Sequence, residues 1–417
     1  MSNSYSNRVA IRIGIVAALA LGCSVPALAQ EAAKPPENTV RAEVGKPIQA
    51  ARDLITAKKY RDALAKVHEA EAVPNLTPYE KFAIDLTRGS AAQGAGDNDV
   101  AMSSFESVVA SGRLPPSDQL KVIGAIAELH YQAKNYAKAI AWATRFEKEG
   151  ASDPGIHQVL IQSYYLSGEN ANAARLLKEQ IEADEKADRV PTEEKLQFLA
   201  SCYVKMNDNA GYVQVLEKLV AHYPKKTYWA DLISRVRRKP GYSERLDLDV
   251  LRLQLATGNL SKPAEYMEMA QLALQAGFPS EAKKIIDQGY AAGLLGKGAE
   301  AERQNRLRDL TNRQATQDAS SLGQDSEAAS ARDGDALVAI GYNYVLNGKT
   351  DHGLALMEQG LKQGPLKHPE EAKLHLGLAY AQAGQKAKAV QLLQSVRGND
   401  GTADLARLWV LQTNHSG

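Results

Sequence analysis

Between residues 335 and 396 the chain repeats one pattern. Ile340-Gly341, Tyr344 and Gly348 recur 36 residues later as Leu376-Gly377, Tyr380 and Gly384. Each copy reads as two amphipathic helices joined at the last of these glycines. Gly341 and Gly377 let the first helix approach the second with no side chain between them, and the tyrosine three residues on fills the space beside that contact. Gly348 and Gly384 stand where the first helix ends, a position at which positive φ favours glycine. On the returning helix, a small and a large residue four apart are Ala389 and Leu393 in the second copy, Gly353 and Met357 in the first. Of the two small residues, Gly353 is the weaker helix former. A unit of this size cannot bury its apolar face alone, so such copies fold by stacking on one another.

The pattern resembles the tetratricopeptide repeat. That resemblance implies an all-α fold in which helix pairs stack into a right-handed superhelix, an α-solenoid whose inner face is lined by the first helix of each repeat. Extended peptides or partner helices are the ligands it implies for that face. The chain upstream keeps the same register. Tyr60, Ala63, Val67 and Ala70 mark a first repeat over residues 44–74, and Gly89, Gly96, Ala101 and Phe105 a second. Tyr136 and Ala139 mark the third; Leu160, Tyr164, Gly168, Ala173 and Leu177 mark the fourth. From Ala63 through Ala101 and Ala139 to Ala173 the steps are 38, 38 and 34 residues, the period of a helix pair with short insertions. Leu199-Ala200, Tyr203, Leu216, Leu219 and Pro224 give a fifth repeat, with Tyr212 at the usual small position. A sixth, degenerate repeat starts at Trp229 and Leu232 and is broken by Lys239-Pro240-Gly241. Ala270, Gly277, Ala282 and Ile286 carry the seventh, so the N-terminal array is expected to span 44–294.

Residues 295–334 differ in composition, being rich in Gln, Arg, Asp, Ala and Ser and nearly free of large apolar side chains after Leu310. They predict a short helix over 299–310 followed by a flexible linker, separating the long array from a C-terminal pair at 335–417. Two repeats alone are marginal. Residues 402–411 are therefore expected to form a capping helix, with Leu405, Leu408, Trp409 and Leu411 covering the last repeat.

The N-terminus reads as a targeting segment over residues 1–29. Arg8 and Arg12 precede an uncharged run over 13–23, and Ala27-Leu28-Ala29 offers a small-x-small cleavage pattern, which would leave Gln30 first. The run is too short to span a membrane. The signal resembles bacterial ones, which implies the periplasm. In the alternative, Leu21-Gly22-Cys23 presents Cys23 for lipid attachment and makes the protein a lipid-anchored part of an outer-membrane complex. Residues 30–43, with Pro35-Pro36, are expected to be a disordered leader. Cleavage after Ala29 leaves Cys202 as the only thiol, so no intramolecular disulfide is expected and packing must supply the stability. It also leaves 48 basic against 49 acidic residues, without the basic surplus of a nucleic-acid binder.

Motifs for chemistry are missing. Gly296-Lys297 is followed by Gly298 where a phosphate loop needs Ser or Thr, and His368, Glu371 and His375 fit a solvated helix start better than a metal site. Cys202 lies in an apolar helix as a packing residue, and Arg235, Arg237, Arg238 and Lys239 read as a solvated charge run. No enzyme activity, cofactor, metal or small-molecule substrate is expected, and contact with a membrane only through a lipidated Cys23. The partner implied by the resemblance is a protein or peptide, and the whole chain is similar to secreted bacterial repeat proteins that serve cell-envelope assembly or transport. Its inner-face positions, counted from the small residue of each first helix, are Glu128, Tyr131, Gln158, Gln162, Tyr165, Gln197 and Ser201. They suit hydrogen bonding to a peptide backbone; an ordinary polar helix surface is the alternative. In the last two repeats the same face is apolar, with Val338, Tyr342, Leu374 and Leu378, which suits a hydrophobic partner segment or cover by the protein's own chain.

Overall fold

A computed structural model of the chain describes residues 38–329, 333–363 and 365–415, and only the backbone of 323–329. The expected signal, Cys23 and the leader as far as residue 37 lie outside the described residues. Every regular element among those described is helical, with twenty α-helices and one 3-10 turn at Glu244–Leu246. The chain divides into two compact units. The first takes the described residues up to Arg189 together with Ser201–Asn207; the second takes Val190–Ala200 and everything from Asp208 onward.

Four helix pairs build the first unit: α1 (Ala42–Thr56) with α2 (Tyr60–Glu71), α3 (Pro78–Ala95) with α4 (Asn98–Ala110), α5 (Pro116–Gln132) with α6 (Tyr136–Lys148), and α7 (Pro154–Leu166) with α8 (Asn170–Lys186). Within it each helix packs on the next in sequence, and the first helices also touch across pairs, α1 on α3 and α5 on α7. The predicted small positions are where the helices meet, since Ala63, Ala101, Ala139 and Ala173 are fully buried. Glu80, also fully buried, fixes the start of α3. It caps that helix reciprocally with Thr77 and accepts from Arg41 Nε and Nη2 at 2.8 Å each, and these bonds hold its carboxyl down to about 2.

The helix α9 (Glu193–Met206) contributes to both units, its residues from Ser201 onward counting with the first. The second unit continues with α10 (Asn209–His222), α11 (Lys226–Arg237), α12 (Asp247–Ala256), α13 (Pro263–Gln275) and α14 (Pro279–Ala291). It ends with α15 (Ala301–Ala329), α16 (Gly334–Leu346), α17 (Thr350–Gln363), α18 (Pro369–Gln382), α19 (Lys386–Ser395) and α20 (Thr402–His415). Helix α20 rests on α18 and α19 with Leu405 and Leu408 buried. It also reaches α10 and α12, where Arg407 meets Glu217 at 2.5 Å and Gln412 donates to the carbonyl of Ala256 at 3.2 Å.

Two expectations need correction. The flexible linker after Leu310 is instead a helix, because α15 runs on to Ala329. A scarcity of apolar side chains misled here: Leu307, Thr311 and Leu322 are buried, and polar links do the rest. Asp318 accepts from the side chains of Asn343 on α16 and of Asn347 at its C-terminal cap, and the Tyr344 hydroxyl donates to the carbonyl of Leu322. Consequently 295–334 does not separate two arrays, and the division between compact units falls near α9 instead.

Gly353 has a physical reason that helix propensity hides. A Cβ at Gly341 would stand 2.6 Å from the Gly353 carbonyl, one at Gly353 would strike the Gly341 carbonyl, and Gly334 and Gly360 oppose each other in the same way at 2.7 Å. Four glycines thus let α16 and α17 touch backbone to backbone. Gly353→Ala is expected to lower stability in urea denaturation by about 1–3 kcal/mol, the cost of overpacking, although alanine is the better helix former by about 1 kcal/mol.

Candidate functional site

In the first unit the predicted side chains lie half-buried on the first helices. Gln158, Gln162 and Tyr165 follow one another at helical spacing on α7, and Glu128 and Tyr131 do so on α5. Neighbouring repeats are stitched through them. The Tyr131 hydroxyl donates to Gln162 Oε1 at 2.6 Å, and the hydroxyls of Tyr165 and Ser201 are hydrogen-bonded at 2.6 Å. Gln158 has no side-chain hydrogen bond among the described residues. Nor does the buried Oε1 of Glu128. Burial, with the Asp153 carboxylate as a smaller cause, pushes the Glu128 carboxyl up to about 7, so near neutral pH it can donate as well as accept.

This shift makes a pH prediction. The folded chain holds the Glu128 proton more tightly than the unfolded chain, so its contribution to stability is favourable in acid and is lost as pH rises from 4.5 through about 7. Glu128→Gln removes that slope. Because the residue is partly exposed, the gain at pH 8 in urea denaturation is about 1–2 kcal/mol.

Gln197 stands apart in the second unit. Its Nε2 donates to the Tyr228 hydroxyl at 2.5 Å and to Glu193 Oε1 at 3.2 Å, while Lys225 Nζ holds the same carboxylate at 2.6 Å. The side chain joins α9 to α11 rather than lying open.

A buried charged cluster in the second unit escaped the sequence reading. On α12, Arg252 donates from Nε and Nη2 to the two Glu281 oxygens at 2.7 and 2.6 Å, and from Nη1 to Asp249 Oδ1 at 2.7 Å. His375 Nε2 lies 3.0 and 3.1 Å from the Asp249 oxygens, and its ring stacks on Tyr342 with centroids 5.3 Å apart. The guanidinium sits 5.1 Å from the centre of the Tyr342 ring and 5.4 Å from that of Phe278. Burial opposes charge on Asp249, yet His375 and Arg252 together hold its carboxyl down to about 2. The face expected to be apolar, Val338, Tyr342, Leu374 and Leu378, is therefore covered by the protein's own chain. A signal was present: Asp249 and Arg252 interrupt the otherwise apolar run from Leu248 to Leu253 at helical spacing.

Donor atoms of Asp249, Glu371 and His375 fall within 4.8 Å of one another, a spacing that suits a cation. Arginines already serve the carboxylates, with Arg252 at 2.7 Å from Asp249 and Arg245 at 3.5 Å from Glu371, so the arrangement reads as an ion-pair network. Two cavities flank Arg252 and Tyr342, of about 520 and 430 Å³.

Cys202 is buried, and burial raises its thiol to about 12, consistent with a packing residue. The basic run is less solvated than expected: Arg235 pairs with Asp231 and lies over the Tyr212 ring, Arg237 pairs with Asp247, and Lys239 with Asp404. Among the described residues no helix is long and apolar enough to cross a membrane.

A family model of the tetratricopeptide repeat matches residues 86–154 and 338–404, and a second such model matches 199–226. The first stretch holds Glu128 and Tyr131; the others hold Ser201 and, of the glycine-rich pair α16–α17, all from Val338 onward. No curated protein matches the chain. Similar solved structures include a tetratricopeptide repeat protein from Parabacteroides merdae, 12% identical over 81% of this chain and 98% of that one, with a TM-score of 0.32. The tetratricopeptide domain of P58(IPK) is 14% identical over 89% and 98%, and yeast Tom70 is 15% identical over 89% and 94%, both with TM-scores of 0.23.

Proposed function

The chain belongs to the tetratricopeptide-repeat family, and from that premise we propose that it is a non-enzymatic periplasmic adaptor holding a protein or peptide partner in a cell-envelope assembly or transport system. Repeats of this kind serve protein–protein interaction. The observation that carries the reading is that Glu128 Oε1 and the Gln158 side chain are unengaged, each one helical turn before a member of the Tyr131–Gln162 stitch on the same inner face. An extended peptide presents alternating N–H and C=O groups, and a side chain amide and a carboxyl on neighbouring first helices can meet both. Location rests on the signal-like segment ending at Ala29, with anchoring through Cys23 as the second reading. Mass spectrometry of the protein recovered from cells separates them, since one begins at Gln30 and the other carries acyl chains on Cys23.

For the binding face, Gln158→Ala, Gln162→Ala and Tyr165→Ala combined should abolish capture of a partner from envelope extract while circular dichroism stays unchanged. A photo-crosslinking residue at position 158 should label that same partner. If the triple variant captures the same proteins as the intact chain, this face is not the binding surface.

A further inference from the structure

We infer that the larger cavity of the second unit binds a small amphipathic carboxylate, an acyl or aryl body carrying one anionic head. At about 520 Å³ the cavity has the size of small-ligand sites. Leu255, Met269, Leu346 and Leu378 give it apolar walls drawn from α12, α13, α16 and α18. Helix α20 adds polar groups to this lining. Trp409 and Thr413 are one turn apart on α20 and both line the cavity, yet among the described residues neither the indole N–H nor the threonine hydroxyl has a hydrogen-bond partner. Thr413 is only 8% exposed, so its unpaired hydroxyl stands in the cavity wall as a buried polar group that a ligand can satisfy. Lys386 also lines the cavity and brings a cation to the same end, its Nζ donating at 3.1 Å to the carbonyl of Asn414, the residue after Thr413.

The donors choose the head group. An indole N–H and an ammonium can only donate, so they call for an acceptor, and the hydroxyl can donate to the same atoms. The one acid in the lining, Glu281, is neutralised by both of its bonds to Arg252 and does not repel an anion. A sugar would leave most of its hydroxyls against leucine and methionine, and a phosphate dianion would find a single unpaired-with-acid lysine where it needs several cations. A monocarboxylate with a hydrocarbon body fits both halves of the lining. The inference goes beyond the protein-binding role proposed above and uses different residues.

Decanoate below its micelle-forming concentration is the probe, titrated calorimetrically into the full-length mature chain. Saturable binding to one site is expected, weakened about tenfold or more by Thr413→Val, which removes a donor while keeping shape, and by Trp409→Phe, which removes the other donor with part of the ring. Lys386→Gln should weaken decanoate but not decanol, and Leu378→Trp, which fills the cavity, should abolish binding with helicity retained. Absence of saturable binding, decanol binding as tightly as decanoate, or affinity unmoved by Thr413→Val and Leu378→Trp would each overturn the inference. The triple variant at Gln158, Gln162 and Tyr165 should bind decanoate like the parent, so failure of the adaptor reading and failure of this one are told apart.

Discussion

Arg252→Met should destabilise the second unit by about 3–5 kcal/mol, the scale for removing one partner of a buried ion pair. The methionine keeps most of the side chain's volume, so the loss is electrostatic. Asp249 and Glu281, both almost fully buried, would be left facing a site without its cation, and only His375 would still serve Asp249. For a unit of this size the thermal midpoint should fall by roughly 6–20 °C, at about 2–4 °C per kcal/mol. Acid should narrow the difference. In the parent chain Asp249 is held down to about 2 from an ordinary 3.8, so its favourable contribution is present above pH 4 and is lost as pH falls through the folded value. A variant without Arg252 has less of that contribution to lose. Adding Glu281→Leu to Arg252→Met should recover part of the stability at pH 7, because it removes one of the two carboxylates left without their cation, while Asp249 keeps only His375. A midpoint unchanged by Arg252→Met would show that the cluster is open to water.

The repeat register was legible because it rests on residues with one physical role each. Ala63, Ala101, Ala139 and Ala173 had to be small where helices meet, and all four are buried without remainder. Distances between repeats were not legible. Tyr131 and Gln162, 31 residues apart, could be placed on one face by counting, but whether they bond to each other or to a ligand depends on the spacing of α5 and α7. Gly353 looked like a poor helix former because propensity is a property of one helix, while its cause is the carbonyl of Gly341 on another. The run after Leu310 was misread for a related reason. Helix formation there is supported by partners from elsewhere in the chain, Asn343, Asn347 and Tyr344, which a local count of apolar residues omits. Asp249 and Arg252 were visible as charges in an apolar stretch, but their partners Glu281 and His375 lie 29 and 126 residues from them.

Tyr380→Ala should cost about 3–5 kcal/mol, as emptying a buried aromatic site does. The side chain is nearly buried, its hydroxyl donates to Glu358 Oε1 at 2.5 Å, and Lys388 lies over the ring with its ammonium 5.3 Å from the centre. Tyr380→Phe separates the two parts of that cost. It keeps the ring and removes the bond, and should lose only about 1–3 kcal/mol, the range for hydrogen bonds to a charged acceptor and for the polar group left behind. The pair of variants also tests the register. Tyr380 on α18 reaches back to α17, and Tyr344, 36 residues earlier on α16, reaches back in the same way to Leu322 on α15. By that equivalence α15 occupies the place of a preceding repeat's second helix, although its composition is that of a linker. Tyr344→Ala and Tyr380→Ala should therefore shift the thermal midpoint by similar amounts. A large loss for Tyr380→Ala beside none for Tyr344→Ala would mean that α15 does not pack as the second helix of a repeat, and that α16–α17 begins a separate array.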